Sequence, residues 1–130
     1  NELIQNKIIP ALNNGYWVVS DRFTDASFAY QGGGRMLDLD RIAKLESWVL
    51  GEFQPDLTLL LDVSVDIGMT RIEARAAKDR IELEERVFFE RVRSVFIDRS
   101  KSYPERIKLI DASGSISEIH TKIKLFLDSL

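Results

Sequence analysis

The chain has 130 residues, the length of one ordinary domain, and 45% of them are apolar. Its 18 basic and 21 acidic side chains leave a net charge of −3, which argues against nonspecific binding to nucleic acid or to an anionic membrane. With no cysteine and one histidine, disulfides, thiolate nucleophiles and multi-histidine metal sites are excluded. No apolar run approaches the roughly 20 residues that span a bilayer, and no signal peptide is visible, so we expect a cytoplasmic protein.

Apolar periodicity predicts helices and strands in alternation along the whole chain. In the first half of the chain we expect a helix over 3–12 that Pro10 bends or ends early, a strand over 17–20, a flexible loop at 32–35, and a helix over 39–52 with Asp38 as its N-cap. A strand over 57–63 follows, and then a helix with Val65, Met69, Ile72 and Ala76 inward. The chain continues with a helix over 84–103, a strand over 107–111, and a last helix that starts at a capping box of Ser115 and Glu118. This alternation with short connections predicts an α/β fold with a layered parallel sheet.

Two predicted strands end in carboxylates, Asp21 and Asp62. Ligands of open parallel sheets bind beyond the carboxyl ends of the strands, so both positions suit a functional residue. An aspartate there can equally cap the following turn or helix, and the sequence leaves this choice open. Arg22, directly after Asp21, presents a planar fork of donors that suits a phosphate, or it forms a structural ion pair.

A basic stripe lies on the predicted helix after residue 65, because Arg71, Arg75 and Lys78 share one helical face and Arg80 follows. Nearby acids could neutralise this stripe as an ordinary solvated face. The functional alternative is a cationic flap that closes over a polyphosphate. His120 has no ligand or nucleophile as a neighbour, so we expect it to face solvent.

Several motifs in register resemble those of bacterial thymidylate kinases. They are Asp21-Arg22-Phe23, Ala29-Tyr30-Gln31-Gly32-Gly33-Gly34-Arg35, the strand Pro55-Asp56-Leu57-Thr58 to Leu61-Asp62-Val63, and the lid-like Gly68-Met69-Thr70-Arg71, Arg75, Asp79-Arg80-Ile81-Glu82 and Phe88-Phe89-Glu90-Arg91-Val92. The resemblance covers essentially the whole chain. It implies the three-layer P-loop nucleoside monophosphate kinase fold and transfer of the ATP γ-phosphate to dTMP, which gives dTDP for dTTP biosynthesis.

The resemblance also implies residue roles on the acceptor side. Arg22 would bind the nucleotide phosphate and Asp21 would lie near Mg²⁺ or its waters. Ser27 and Gln31 would hydrogen-bond the thymine base, and Tyr30 would crowd the sugar 2′ position and favour deoxyribose.

On the donor side, the resemblance implies that Arg71 packs on the adenine of ATP. Arg75 and Arg80 would close onto the ATP phosphates, so that these two residues join Arg22 in catalysis. Ala112 and Ser113 would flank the adenine. The basic lid would span about 71–86.

The resemblance begins in the middle of the family pattern. The phosphate loop, an acid-and-glycine-rich segment and the aromatic residue that stacks on thymine all lie upstream of the matched region, and Ala26 stands where many members have Ser. We therefore expect residues 1–130 to be the C-terminal portion of a single kinase domain, inactive alone. The central strand of the family sheet would lie between 17–21 and 57–63, so its absence would leave a gap of about 9.6 Å and expose Leu59 and Leu61.

Two alternatives to this function stay open at the level of sequence. One is another nucleoside monophosphate or deoxynucleoside kinase, and the other is a noncatalytic nucleotide-binding or interaction module. The family also implies a homodimer, to which the apolar helix 39–52 with Trp48 could contribute. Sequence does not distinguish an exposed face of that helix from a core face.

Overall fold

The computed structural model describes residues 2–75 and 83–129. In chain order its elements are helix α1, with a π-helical part Ile4–Ile8 and an α-helical part Ile9–Asn13; helix α2, with an α-helical part Thr24–Ser27 and a π-helical part Phe28–Gly34; helix α3, Leu39–Leu50; strand β1, Thr58–Asp62; helix α4, Val65–Arg75; helix α5, Leu83–Ser102; strand β2, Ile107–Asp111; and helix α6, Ile116–Leu127. The predicted α/β class is confirmed.

The two strands form a parallel sheet in which Thr58 lies opposite Ile107 and Asp62 lies opposite Asp111. Parallel strands need a crossover connection, and here α4 and α5 provide it. The buried apolar residues include Ile107 and Ile110 of β2 and Val92 of α5, and the largest fully buried side chain among the described residues is that of Ile110, at 2% exposure. The sheet therefore fixes where α5 and the connections at its carboxyl edge lie.

The expected strand over 17–20 is wrong. These residues form no strand, and the side chains of Trp17 and Val19 are 72% and 93% exposed. An extended segment is stable as a strand only when a neighbour takes up its backbone hydrogen bonds. In the described residues β1 pairs with β2 alone, so residues 17–20 have no such neighbour. Leu61 is 51% exposed, as expected, whereas Leu59 is partly buried.

The expected flexible loop at Gly32-Gly33-Gly34 is also wrong, because these glycines form the buried end of α2. A Cβ on Gly33 would lie 2.7 Å from Val95 Cγ2 and 2.8 Å from the Arg91 carbonyl oxygen. Gly33 and Gly34 lie closer to α5 than a side chain would allow, and Gly32 lies equally close to Leu39 of α3. Tertiary packing therefore outweighs the poor helix propensity of glycine here.

The predicted helix caps are confirmed, whereas some residues predicted to be buried by the apolar stripes are exposed. Asp38 accepts a hydrogen bond from the Asp40 amide at the start of α3, and Ser115 and Glu118 form the predicted capping box of α6. Trp48, predicted on the apolar face of α3, is 84% exposed, and Ile72, predicted inward on α4, is 47% exposed. Capping is local chemistry, whereas burial depends on what the rest of the fold places against a helix.

None of the described helices is long and apolar enough to cross a membrane. The structure does not describe Lys78 and Arg80 of the basic stripe or Ala76 of the inward apolar stripe. Part of the expected lid at 71–86 also lies outside the described residues. His120 is exposed, as expected.

We predict that Gly33→Ala destabilises the chain by about 1–3 kcal/mol, because the new methyl group overlaps the Arg91 backbone and the Val95 side chain. Gly68→Ala is the matched control, since its Cβ would meet only Val63 Cγ2, at 3.7 Å, within helix α4. That control should be neutral or stabilising by up to about 1 kcal/mol. Urea unfolding followed by circular dichroism measures both, and equal stability of the two variants would contradict the packing account.

Candidate functional site

A cavity of about 310 Å³ lies beside α2, and seven residues line it: Arg22, Ala26, Ser27, Tyr30, Gln31, Arg35 and Phe88. Four of these, Arg22, Ser27, Tyr30 and Gln31, are residues that the resemblance singled out for the acceptor substrate. The structure thus brings the expected acceptor-side residues to one cavity, with Asp21 exposed next to Arg22 in the chain.

Helix α2 presents the cavity residues because its other face is buried. Phe28 is 5% exposed and Ala29 is fully buried. Ser27 is exposed, and Tyr30 and Gln31 are partly buried on the cavity side. This division places hydroxyl and amide groups where they can meet a ligand, while apolar neighbours hold the helix.

Aromatic contacts hold the ring of Tyr30 on the side of α5. Its centroid lies 6.2 Å from that of Phe96, edge to face, and 6.3 Å from that of Phe88. Such pairs favour a defined ring orientation. The Tyr30 ring is therefore a fixed wall of the cavity.

Arg22 reaches the cavity from a strained backbone position. Its φ is +67°, in the left-handed region that a residue with a Cβ adopts at a cost. The Ser20 hydroxyl donates to the Arg22 carbonyl oxygen at 2.8 Å, and the guanidinium carbon lies 5.0 Å from the centre of the Tyr30 ring. The positive charge is thus placed at the cavity next to the tyrosine wall.

Two cavity residues were missed by sequence reasoning, Arg35 and Phe88. Arg35 follows α2 directly, and Phe88 comes from α5. Arg35 stands at the end of the Ala29 to Arg35 motif that carries the family resemblance, which was a usable signal. Phe88 gave none beyond its apolar character, because its place in the cavity depends on how α5 crosses α2.

A second cluster joins the residues that the resemblance placed around adenine. The Arg71 guanidinium, from α4, donates to the carbonyl oxygens of Ala112 at 2.9 Å and Ser113 at 3.2 Å, after β2. Hydrogen bonds from the Ser113 hydroxyl and amide hold the pKa of Asp111 below its ordinary value. Arg71, Ala112 and Ser113 therefore form one platform at the carboxyl edge of the sheet.

The remaining expected site residues have different outcomes. Arg75 is the last residue of α4, and Arg80 lies outside the described residues. Asp62 forms a two-pronged ion pair with Arg93 of α5, at 2.7 and 2.9 Å. Hydrogen bonding to Asp62 raises the pKa of Arg93. Asp62 thus joins the end of β1 to α5, a contact that neither the functional nor the capping interpretation predicted.

Asp25 is a buried carboxylate that sequence reasoning did not single out. Its Oδ1 accepts from Arg99 Nε at 2.7 Å and from Arg106 Nη2 at 2.9 Å, and its Oδ2 accepts from Arg106 Nη1 at 2.7 Å. Burial alone would raise the pKa of Asp25, but the hydrogen bonds from Arg106 and Arg99 outweigh it, so the pKa lies below its ordinary value. Asp25, Arg99 and Arg106 together form a buried ion-pair cluster, the Asp25 clamp.

The described residues contain no group of three or more histidine and carboxylate side chains that could hold a metal ion by itself. Asp21 is a lone exposed carboxylate. A single carboxylate suits Mg²⁺, which keeps several waters and takes its other ligands from a bound phosphate.

Comparison with solved structures identifies the class of fold. A crystal structure of thymidylate kinase from Ehrlichia chaffeensis matches 98% of this chain and 57% of its own, with a TM-score of 0.74 and 28% identity. The fold is therefore that of the P-loop nucleoside monophosphate kinases, as predicted.

Sequence comparison identifies the family. A sequence model of the thymidylate kinase family matches residues 1–123, and the chain belongs to this family. The thymidylate kinase of Vesicomyosocius okutanii is 64% identical over 130 residues, and that of Ruthia magnifica is 61% identical over the same length. All of this chain is matched in both, but it spans only 63% of each relative.

We predict that Asp25→Asn lowers the free energy of unfolding at pH 7 by about 3–5 kcal/mol, because two buried guanidinium groups lose their counterion. Since the folded pKa of Asp25 lies below the unfolded value of 3.8, its contribution is complete above that pH and is lost as the pH falls through the folded pKa. The variant should therefore lose less stability than the wild type between pH 5 and pH 2. The stability of Asp25→Asn should still fall somewhat as the pH is lowered, because the pKa values of Asp111 and Glu118 are also below their ordinary values.

The control for this prediction is Asp98→Asn, which removes an exposed carboxylate 3.6 Å from Lys101. It should change stability little at pH 7 and leave the acid slope intact. Urea unfolding at several pH values gives the slopes. Equal slopes for Asp25→Asn and wild type would show that the clamp does not contribute to acid stability.

Proposed function

We propose that the intact protein containing this chain transfers the γ-phosphate of ATP to dTMP, which gives dTDP and ADP. The observation that supports it best is the cavity on α2, where Arg22, Ser27, Tyr30 and Gln31 meet in a member of the thymidylate kinase family. A cavity of about 310 Å³ is within the usual range for a small-molecule site.

The acceptor side binds dTMP through complementary groups. Ser27 and Gln31 hydrogen-bond the polar edge of thymine, and the Tyr30 ring occupies the space that a 2′-hydroxyl would need. Arg22 binds the phosphate, and Arg35 adds a second positive charge at the same cavity. Base, sugar and phosphate are thereby held in one orientation before transfer.

The donor side binds ATP at the Arg71 platform. Two carbonyl oxygens hold the Arg71 guanidinium by its edge, which leaves its planar face free to stack on adenine. Ala112 and Ser113 flank the base, and Arg75 and Arg80 close on the phosphates. Transfer needs alignment and positive charge more than covalent help from the protein, and Arg22, Arg75 and Arg80 supply that charge.

Mg²⁺ would be held near Asp21 through its waters and, when bound, neutralises charge on the phosphates. Asp21 suits this role because it is next to Arg22 in the chain, so that the two residues would hold Mg²⁺ and the phosphate side by side. The proposal also includes a homodimer, supported by the exposure of Trp48 and Leu45 on α3, and a cytoplasmic location.

The test is a comparison of acceptors with the intact protein. Purified protein, ATP and Mg²⁺ are mixed with dTMP, dUMP, dCMP or AMP, and ADP release is followed. We expect the highest kcat/KM with dTMP and no turnover with the isolated 130-residue chain, which spans only 63% of the length of its relatives. Preference for another monophosphate would assign the protein to a different nucleotide kinase class, and no turnover with any acceptor would favour a noncatalytic module.

We predict that Arg22→Ala in the intact protein lowers kcat for dTMP by about 100-fold or more, because its charge matters most while the phosphoryl group is in transfer. Tyr30→Phe should be milder, since the ring that forms the cavity wall remains. Lys124→Ala, which removes an exposed lysine from α6, is the control and should leave kcat and KM unchanged. A change in KM alone for Arg22→Ala would contradict the assigned role.

A further inference from the structure

We propose that Asp25 is a positioning residue for the acceptor cavity: by binding Arg99 and Arg106 it fixes the start of the helix that carries Ser27, Tyr30 and Gln31. Asp25 does not line the cavity and would touch no substrate. Its effect on dTMP binding rests on the function proposed above, whereas its effect on the structure of α2 does not.

The clamp is a buried and closely bonded group. The side chains of Asp25, Arg99 and Arg106 are 6%, 12% and 15% exposed. Three charge-assisted hydrogen bonds of 2.7–2.9 Å join them. Charged groups this enclosed hold one geometry, because any movement would leave a charge without partners in a poorly solvated place.

The two arginines are themselves held by other parts of the fold. The Arg99 guanidinium carbon lies 3.7 Å from the centre of the Phe28 ring, and Arg106 Nη1 also donates to Thr58 Oγ1 at 3.1 Å. The Tyr103 ring lies close to both guanidinium groups. The clamp therefore ties α2 to α5, to the turn after α5 and to β1.

The far end of α2 is fixed to the same helix. Arg91, also on α5, donates to the Gly33 carbonyl oxygen at 3.2 Å and to the Gly34 carbonyl oxygen at 3.0 Å. The cavity residues of α2, from Ala26 to Gln31, all lie between this contact and Asp25. Helix α5 also contributes Phe88 to the cavity. The α2 side of the cavity is therefore held against the same helix that forms part of its other side.

Loss of the Asp25 carboxylate should therefore loosen one end of α2 while the other end stays fixed. Ser27 is two residues from the lost contact, so the acceptor-binding groups would no longer be preorganised and binding would weaken. The Arg71 platform lies on α4 and after β2, away from α2. The expected result is a defect in dTMP binding without one in ATP binding.

The test uses the intact protein with Asp25→Asn, Asp25→Glu and the control Ile110→Ala. The control removes a buried side chain of β2, so it lowers stability while the clamp residues stay unchanged. Hydrogen exchange of the ligand-free protein measures the order of residues 24–34. Steady-state kinetics give separate KM values for dTMP and ATP.

For Asp25→Asn we expect exchange to accelerate more over 24–34 than in the rest of the protein, and more there than in Ile110→Ala. We also expect a KM for dTMP raised by about 10-fold, with KM for ATP and kcat within about threefold of wild type. Asp25→Glu, which keeps the charge, should recover most of the KM for dTMP. Ile110→Ala should lower Tm without raising the KM for dTMP.

The outcomes separate this inference from the proposed function. An unchanged KM for dTMP, or the same KM rise in Ile110→Ala, would overturn the positioning role. If the wild type does not phosphorylate dTMP, the proposed function fails, and hydrogen exchange still decides. Acceleration over 24–34 that exceeds that of the rest of the protein, and that of Ile110→Ala in the same segment, supports positioning; equal or absent acceleration overturns it. Should Asp25→Asn not fold, Arg106→Lys keeps the charge but loses the two-pronged contact, and the same readouts apply to it.

Discussion

The ion pairs between Asp25 and two arginines are the interaction on which the rest of the site depends. Arg99 and Arg106 stand 74 and 81 residues away along the chain, and their meeting with Asp25 joins α2, α5 and β1. Buried charges of this kind cost solvation free energy and are stable only when each hydrogen-bonding group has a partner. Arg106 also meets Thr58, and Arg99 lies on the Phe28 ring, so the cost is offset within one compact group.

Close packing at the end of α2 adds to the effect of the Asp25 clamp at its start. Gly33 and its neighbours let α2 lie directly on α5, and Arg91 takes up the carbonyl oxygens at the end of α2. Helix α2 is thereby immobilised through its buried face, and its polar face is left to line the cavity. The Arg71 platform is built on α4 and the segment after β2, so the proposed donor site rests on different elements from the proposed acceptor site.

Sequence predicted the features that local chemistry decides, such as the Ser115 capping box and the two paired strands. It failed where a distant segment decides: residues 17–20 have the composition of a strand but no partner in the sheet, and Gly33 is helical because α5 requires it. The acceptor residues came from a motif resemblance, and the structure brought Arg22 and its companions to one cavity. Asp25 escaped notice because nothing near it in the chain shows which arginines it binds.

The most direct test is a crystal structure of the intact protein with dTMP. We expect thymine in the cavity on α2 within hydrogen-bond distance of Ser27 or Gln31, the sugar against the Tyr30 ring, and the phosphate on Arg22, with the Asp25 clamp unchanged. A nucleotide bound elsewhere, or one bound there with its phosphate turned away from Arg22, would contradict this expectation.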